Sequence, residues 1–330
     1  TCARGAKLNG ADMHSADLRE GQVLSYERSG ELKSLYIDLS PPDNNGNTDF
    51  SKTTMKKAKL NGAEATKADF TDSEMTSVQM KNANLRGANF AGANLENADL
   101  QGARMQGAIL RDAILFGANT GNTDFEDANL DGVILDKHVK DVSDLEAPLD
   151  ELIKSHILWV DTAGQNGAYL DLSGYDLRSI GELPDARLTA VKAIGTNFYG
   201  MDLTGIEMQH AILETADFRY CKMQNADMRG AQLPNAKFLR TELKGADFRP
   251  LLMNDEKEKN VDLSGANFKY ADLRGVKFRN VSLKGADLSF AKIFNTDFTN
   301  ADLTDVILEG ASLMGATLKN TTMPDGSVES

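Results

Sequence analysis

The chain of 330 residues carries 49 acidic and 36 basic side chains, a formal net charge of −13, and 41% apolar residues. That apolar share suffices for a core, while 28 Gly against 7 Pro argue against a Pro-rich disordered chain. Two cysteines, Cys2 and Cys221, cannot make a disulfide framework, and no apolar run approaches the roughly 18 residues of a membrane span.

The sequence opens with large apolar residues five apart: Leu8, Met13 and Leu18. It starts at Thr1 without a Met and shows no signal peptide, so a piece of a longer protein is expected, with the cytoplasm as default location. Residues 19–47 break the run. Gln22 to Glu27, a turn at Arg28-Ser29-Gly30, and Leu32 to Leu39 predict a β-hairpin, followed by a linker from Pro41 to Gly46. The plain reading of this insertion is an edge cover; the sharper one is a partner-binding arm.

From Phe50 to Leu135 every fifth residue is a repeat centre, 18 units in all. The centres are large and apolar except at Ala65 and Thr120. Two residues before most centres stands a small residue, as at Ala58, Ala68, Ala83, Ala88 and Ala93. The residue between is often Asp or Asn. The segment Ala83-Asn84-Leu85-Arg86-Gly87-Ala88-Asn89-Phe90 shows two units side by side. A period of five matches neither the 3.6 of a helix nor the 2 of a strand. Within a unit the small residue and the centre lie two apart and point the same way, as in extended chain. Each unit is therefore a very short extended piece and a corner, with those two residues inward and the other three in water. Gly, Asn, Asp and Ser near the corners fit turn chemistry.

Residues 139–167 interrupt the pattern. Leu149, Leu152, Ile153, His156 and Val160 follow helical spacing, and Pro148 suits the first turn of a helix. This helix is expected to cover or separate two repeat blocks, since solenoid ends need caps; a docking helix is the alternative. Repeats resume at Leu172 and Leu177, and one extra residue then shifts the frame. Thirteen units run from Leu188 to Phe248 and thirteen more from Leu263 to Met323. Between them, residues 249–260 predict a charged loop bulging from one side, with Leu251, Leu252 and Met253 tucked in. The final Pro324-Asp325-Gly326 suggests a closed end. The blocks are thus 1–47, 48–137, 138–167, 168–323 and a tail, 324–330.

Phenylalanine centres fix the number of sides. Phe50–Phe70, Phe70–Phe90, Phe198–Phe218, Phe218–Phe238 and Phe278–Phe298 are each separated by four repeat units. Four units make a square coil, with rings stacked on one face.

These residues resemble the pentapeptide-repeat family, whose unit is A(D/N)LXX, over roughly four-fifths of the chain. The resemblance implies an all-β fold, a right-handed quadrilateral parallel β-helix, here interrupted by the hairpin insertion and the short helix. About eleven coils at strand spacing would make a rod of roughly 50–55 Å. The resemblance also implies that loops projecting from the rod can carry partner recognition.

Chemistry is hard to find. His14, His138, His156 and His210 show no metal-ligand spacing, and Cys221 takes the small inward position, where a thiol acts as a small hydrophobe. Asp69, Asp99, Asp217, Asp227, Asp247 and Asp272 share the repeat position that Asn84, Asn89 and Asn94 also fill, so a turn or solubility role is expected for them. No catalytic residue, metal site or cofactor is expected. The leading reading is a non-enzymatic structural or interaction protein that presents rigid faces and loops to an unidentified protein partner, without direct nucleic-acid binding. An adaptor or cargo module of a larger assembly, such as a bacterial secretion system, is a second form of it. Some members of the family mimic duplex DNA and bind DNA gyrase. Here the net charge is −3 in 48–137, −2 in 168–248 and zero in 261–323, against one charge per about 1.7 Å of duplex. Mimicry therefore requires one acidic face hidden in a near-neutral sum.

Overall fold

The computed structural model describes residues 12–14, 25–26, 32–33, 48–134, 140–252 and 257–329. Its contacts divide the chain into two units, Thr1–Lys137 and His138–Ser330. Both are β-helical solenoids built from the same five-residue unit.

In the first unit each Asp/Asn-type position from 49 to 114 bridges, in parallel, the one four repeats later, for example Asp49↔Asp69, Asp69↔Asn89, Asn89↔Ile109 and Ile109↔Asn129. Four such series run side by side, so one coil is four units. The inference from phenylalanine spacing holds: Phe50, Phe70 and Phe90 stack at 5.2 and 4.8 Å between centroids, the distance between paired strands.

Backbone pairing explains why single bridges suffice in place of long strands. The amide of Phe90 donates to the Ile109 carbonyl one coil ahead, and the Asn89 amide to the Ala68 carbonyl one coil behind. The turn closes with Ala88 N–H on the Leu85 carbonyl at 3.0 Å. The second residue after each centre has a left-handed φ, such as 62° at Gly87 and 56° at Asn82, and its amide also donates to the next coil. Gly and Asn tolerate that conformation, which is why they mark the corners.

Inward positions are occupied as expected, with Phe50, Leu85, Phe90 and Leu95 buried together with Ala58, Ala83 and Ala93. Where the small residue carries a hydroxyl, the group is satisfied on a carbonyl: Thr53 on Phe50 at 2.6 Å and Thr241 on Phe218 at 2.7 Å.

Of the expected N-terminal hairpin, β1 (Ser25–Tyr26) and β2 (Leu32–Lys33) pair antiparallel. Its remainder, Leu8, Leu18, the linker at 41–46, Cys2, Leu135, His138 and Met253 lie outside the described residues.

The second unit begins with β3 (Lys140–Asp141), a 3-10 turn at Val142–Asp144, and the helix α1 (Leu149–Asp161). Pro148 precedes the first helical turn as N-cap rather than sitting within it, and its carbonyl takes the amides of Glu151 and Leu152. Leu149 belongs to the core of this unit, with Leu152 and Ile153 packed on it, so the helix closes the start of the solenoid. β3 pairs in parallel with β4 (Tyr175–Asp176) of the first coil. The extra residue sits in the 3-10 turn Arg178–Ile180 and Gly181, because the step Asp176↔Asn197 is one residue longer than the step Glu182↔Asp202.

The segment after Phe248 is a hairpin, not a loop. β5 (Leu251–Leu252) pairs antiparallel with β6 (Glu258–Lys259). The coils beneath simply skip it: Gln232 bridges Asp262, and Asp247 bridges Lys277. Phe238 stacks on Phe268 at 4.7 Å across the gap. At the end of the unit the tail folds back, Thr322 bridging Val328 antiparallel.

Candidate interaction surface

The interior is spent on packing, so function must be sought outside it. The Asp/Asn position faces outward and its side chain folds onto the corner. Asp69 Oδ1 accepts the Thr71 amide at 2.9 Å and Asn89 Oδ1 the Ala91 amide at 3.1 Å. A carboxylate and a carboxamide oxygen serve equally here, which explains the free exchange of Asp and Asn.

Five aspartates do more. At Asp176, Asp217, Asp227, Asp247 and Asp272 the residue two further on is Arg, and its guanidinium clamps the same carboxylate through Nε and Nη2. All five lie in the second unit. Asp217 is the deepest case: Arg219 is only 2% exposed and its Nη2 stands 2.6 Å from the carboxylate. Burial alone would raise the Asp217 carboxyl; the charge and hydrogen bonds of Arg219 outweigh it and hold the group below the usual carboxylate range.

The burial of Arg219 corrects the expectation that three of every five residues face water. On one edge of the second unit the first corner residues Tyr199, Arg219, Leu239 and Ser289 are buried. Tyr199 and Tyr220 lie 5.5 Å apart, Arg240 stands over Tyr270 at 4.8 Å, and Tyr270 stacks on Phe290 at 5.1 Å. Tyr220, Arg240, Tyr270 and Phe290 all hold left-handed φ near 60°. These large side chains form a second layer outside the coil. The sequence did carry this signal: the four occupy the same repeat position one coil apart, the longer step from Arg240 to Tyr270 containing the hairpin.

His156 ties the helix to the first coil. It is fully buried; its Nδ1 accepts the Leu170 amide at 3.2 Å, which leaves Nε2 to donate to the Thr189 carbonyl at 2.9 Å. Burial pushes its pKa below the ordinary value, against the backbone groups of Thr189 and Ala168. His14 is exposed. His210 is half-buried, and burial, then the charge of Lys259, lower its pKa. Cys221 donates its thiol to the Phe198 carbonyl at 2.9 Å, and burial raises its pKa well above the ordinary value, so it lacks the thiolate a nucleophile needs. Among the described residues no three His, Cys, Asp or Glu side chains are placed to hold a metal, and no helix is long and apolar enough to cross a membrane.

The outward positions also resolve charge by face. In the second unit one face carries Glu182, Asp202, Lys222, Glu242, Asp272 and Lys292; the next Arg187, Glu207, Asp227, Asp247, Lys277 and Asp297. The remaining two mix Asp with Asn, Gln, Lys, Ser, Thr and Ile. Bases interrupt the acids in these two columns, with no acidic run longer than the three of Glu207, Asp227 and Asp247, and the Arg clamps neutralise five of the carboxylates.

The hairpin β5–β6 is the feature that leaves the coil. It lies back against the corner at Gly230, where an added Cβ would meet Leu251 Cβ at 2.7 Å, and Gln232 Nε2 donates to the Asn260 carbonyl at 3.0 Å. Leu252 is 67% exposed, in contrast to the expected tuck.

A coil of four A(D/N)LXX units defines the class, and the family of pentapeptide repeats matches residues 79–117, 182–219, 211–249, 262–300 and 282–320, half of the chain. The chain belongs to that family. No curated protein matches it. Among solved structures, it is similar to HetL, a pentapeptide repeat protein involved in heterocyst differentiation regulation from the cyanobacterium Nostoc sp. strain PCC 7120. The identity is 21%, covering 98% of this chain and 94% of that one, with a TM-score of 0.20. It is 30% identical to a pentapeptide repeat protein from the Arabidopsis thaliana thylakoid lumen, over 33% of this chain and 69% of that one, with a TM-score of 0.25. QnrB1, a plasmid-mediated fluoroquinolone resistance protein, is 21% identical over 48% of this chain and 92% of its own, with a TM-score of 0.22.

Proposed function

We propose that this protein is a non-enzymatic recognition scaffold: right-handed quadrilateral β-helices hold projecting elements rigidly for a protein partner. The observation that carries this reading is the β5–β6 hairpin. It leaves the solenoid without disturbing the stacked coils, is anchored at Gly230 and Gln232, and holds Leu252 out in solvent. A pre-ordered apolar anchor loses little freedom on binding, which favours affinity. Duplex mimicry has less support, since every face of the second unit interrupts its acids with bases or neutral residues.

The test exploits the register. Deleting residues 250–259 leaves Phe248-Arg249-Asn260-Val261-Asp262-Leu263, a continuous five-residue unit with Asn260 at the left-handed corner that proline could not adopt. The variant should keep its thermal transition and lose the partner that intact protein recovers from a lysate of its host. Recovery of the same partner by both proteins would reject the hairpin as the recognition element; recovery of a topoisomerase by both would place function on the coil faces.

A further inference from the structure

At the closed start of the second unit a cavity of about 220 Å³ opens between α1 and the first coil. Its apolar part is Leu145, Leu152 and the buried Leu170. Two tyrosines, Tyr169 and Tyr175, and two carboxylates, Glu146 and Asp171, complete the lining. This is a slot of mixed lining, apolar and polar in similar measure, with aromatic walls and anionic groups.

Both polar chemistries already hold cations. Lys140 Nζ stands over the Tyr175 ring at 4.9 Å, and Lys192 Nζ lies 2.9 Å from Asp171. The surrounding segment, residues 138–167, has six acids and two bases. An alkyl stem ending in an ammonium gains contact with the leucines, attraction to the tyrosine rings, and an ion pair at Glu146.

We propose that this cavity takes a lysine side chain from a basic segment of a partner protein. The proposal rests on the reading of the chain as a recognition scaffold and adds a second contact point. Its test leaves the hairpin untouched, so failure here and failure of the hairpin reading are separate results.

The experiment uses the full chain, isotope-labelled, in buffer of physiological ionic strength. Two short peptides are titrated: one lysine flanked by alanines, and the same peptide with that lysine acetylated. Amide NMR shifts are followed. The lysine peptide should produce saturable shifts concentrated at residues 145–152 and 169–175, and the acetylated peptide none. Glu146→Gln, a change at an exposed side chain, should weaken the lysine peptide roughly tenfold or less, and Tyr175→Leu should weaken it further. The proposal is overturned by equal responses to the two peptides, by shifts spread over the acidic surface without a focus at the cavity, or by unchanged affinity in Glu146→Gln.

Discussion

The two units share one backbone rule and dress it differently. In the first, Asp69, Asp99 and Asn89 accept a corner amide, and Asp69 and Asp99 add only neutral donors, the Thr71 hydroxyl and the Asn119 carboxamide. In the second, Asp217, Asp227 and Asp247 accept the same amide and are then gripped by Arg219, Arg229 and Arg249. The repeat position thus sets geometry, while the residue two further on decides whether the carboxylate also takes a guanidinium.

The sharpest way to confirm that the interiors are equivalent is to hollow both. Phe90→Ala and Phe218→Ala each remove a fully buried ring from a stacked column. Each should cost about 3–5 kcal/mol in denaturant unfolding. A small effect at either would show that its unit packs loosely.

Removing a clamp should separate the units next. Arg219→Ala leaves Asp217 buried beside no guanidinium, and loss of about 3–5 kcal/mol is expected, the range for breaking a buried pair. Arg274→Ala removes an exposed partner, and its unfolding midpoint should stay within experimental scatter. Equal losses would mean that the clamps act through something other than burial.

The cap gives a pH signature confined to the second unit. The native pKa of His156 is depressed, so the unfolded chain binds the proton more readily. Its contribution is full above the ordinary imidazole value near 6.5 and is lost as the pH falls from there to the native value. Thermal unfolding followed at Trp159, which stacks on His156, should shift downward over that window. The shift should shrink in His156→Gln to the part that His210 contributes, whose pKa is also lowered.

The smallest effect is expected at Asp69→Asn, where the carboxamide keeps the bond to Thr71; stability should change by less than about 0.5 kcal/mol. Asp217→Asn, by contrast, leaves Arg219 with a neutral partner and should cost clearly more.

What the sequence revealed follows the same division. Phe90, Leu95 and Ala93 were legible because burial of apolar side chains obeys the repeat at every coil. Coil size was legible because rings such as Phe198 and Phe218 recur one coil apart and stack. The outer layer left a signal, Tyr220, Arg240, Tyr270 and Phe290 one coil apart, that the five-residue pattern alone does not reveal. Arg219 and Tyr199 stand at positions where most units expose a polar residue, and Tyr199 meets Tyr220 only through winding. The hydrogen bonds of His156 were hidden for a related reason: Thr189 lies far along the chain and is brought near only by winding. The paired strands within 249–260 went unseen because two residues per strand leave no alternation to read.

The extra segment between Asp247 and Lys277, which the other coils lack, has a consequence for how such a chain changes over time. Because Phe238 and Phe268 meet as though the hairpin were absent, that corner is a tolerant splice point. Whole segments can be exchanged there in multiples of the repeat, and the molecule can change what it recognises while inheriting its architecture intact.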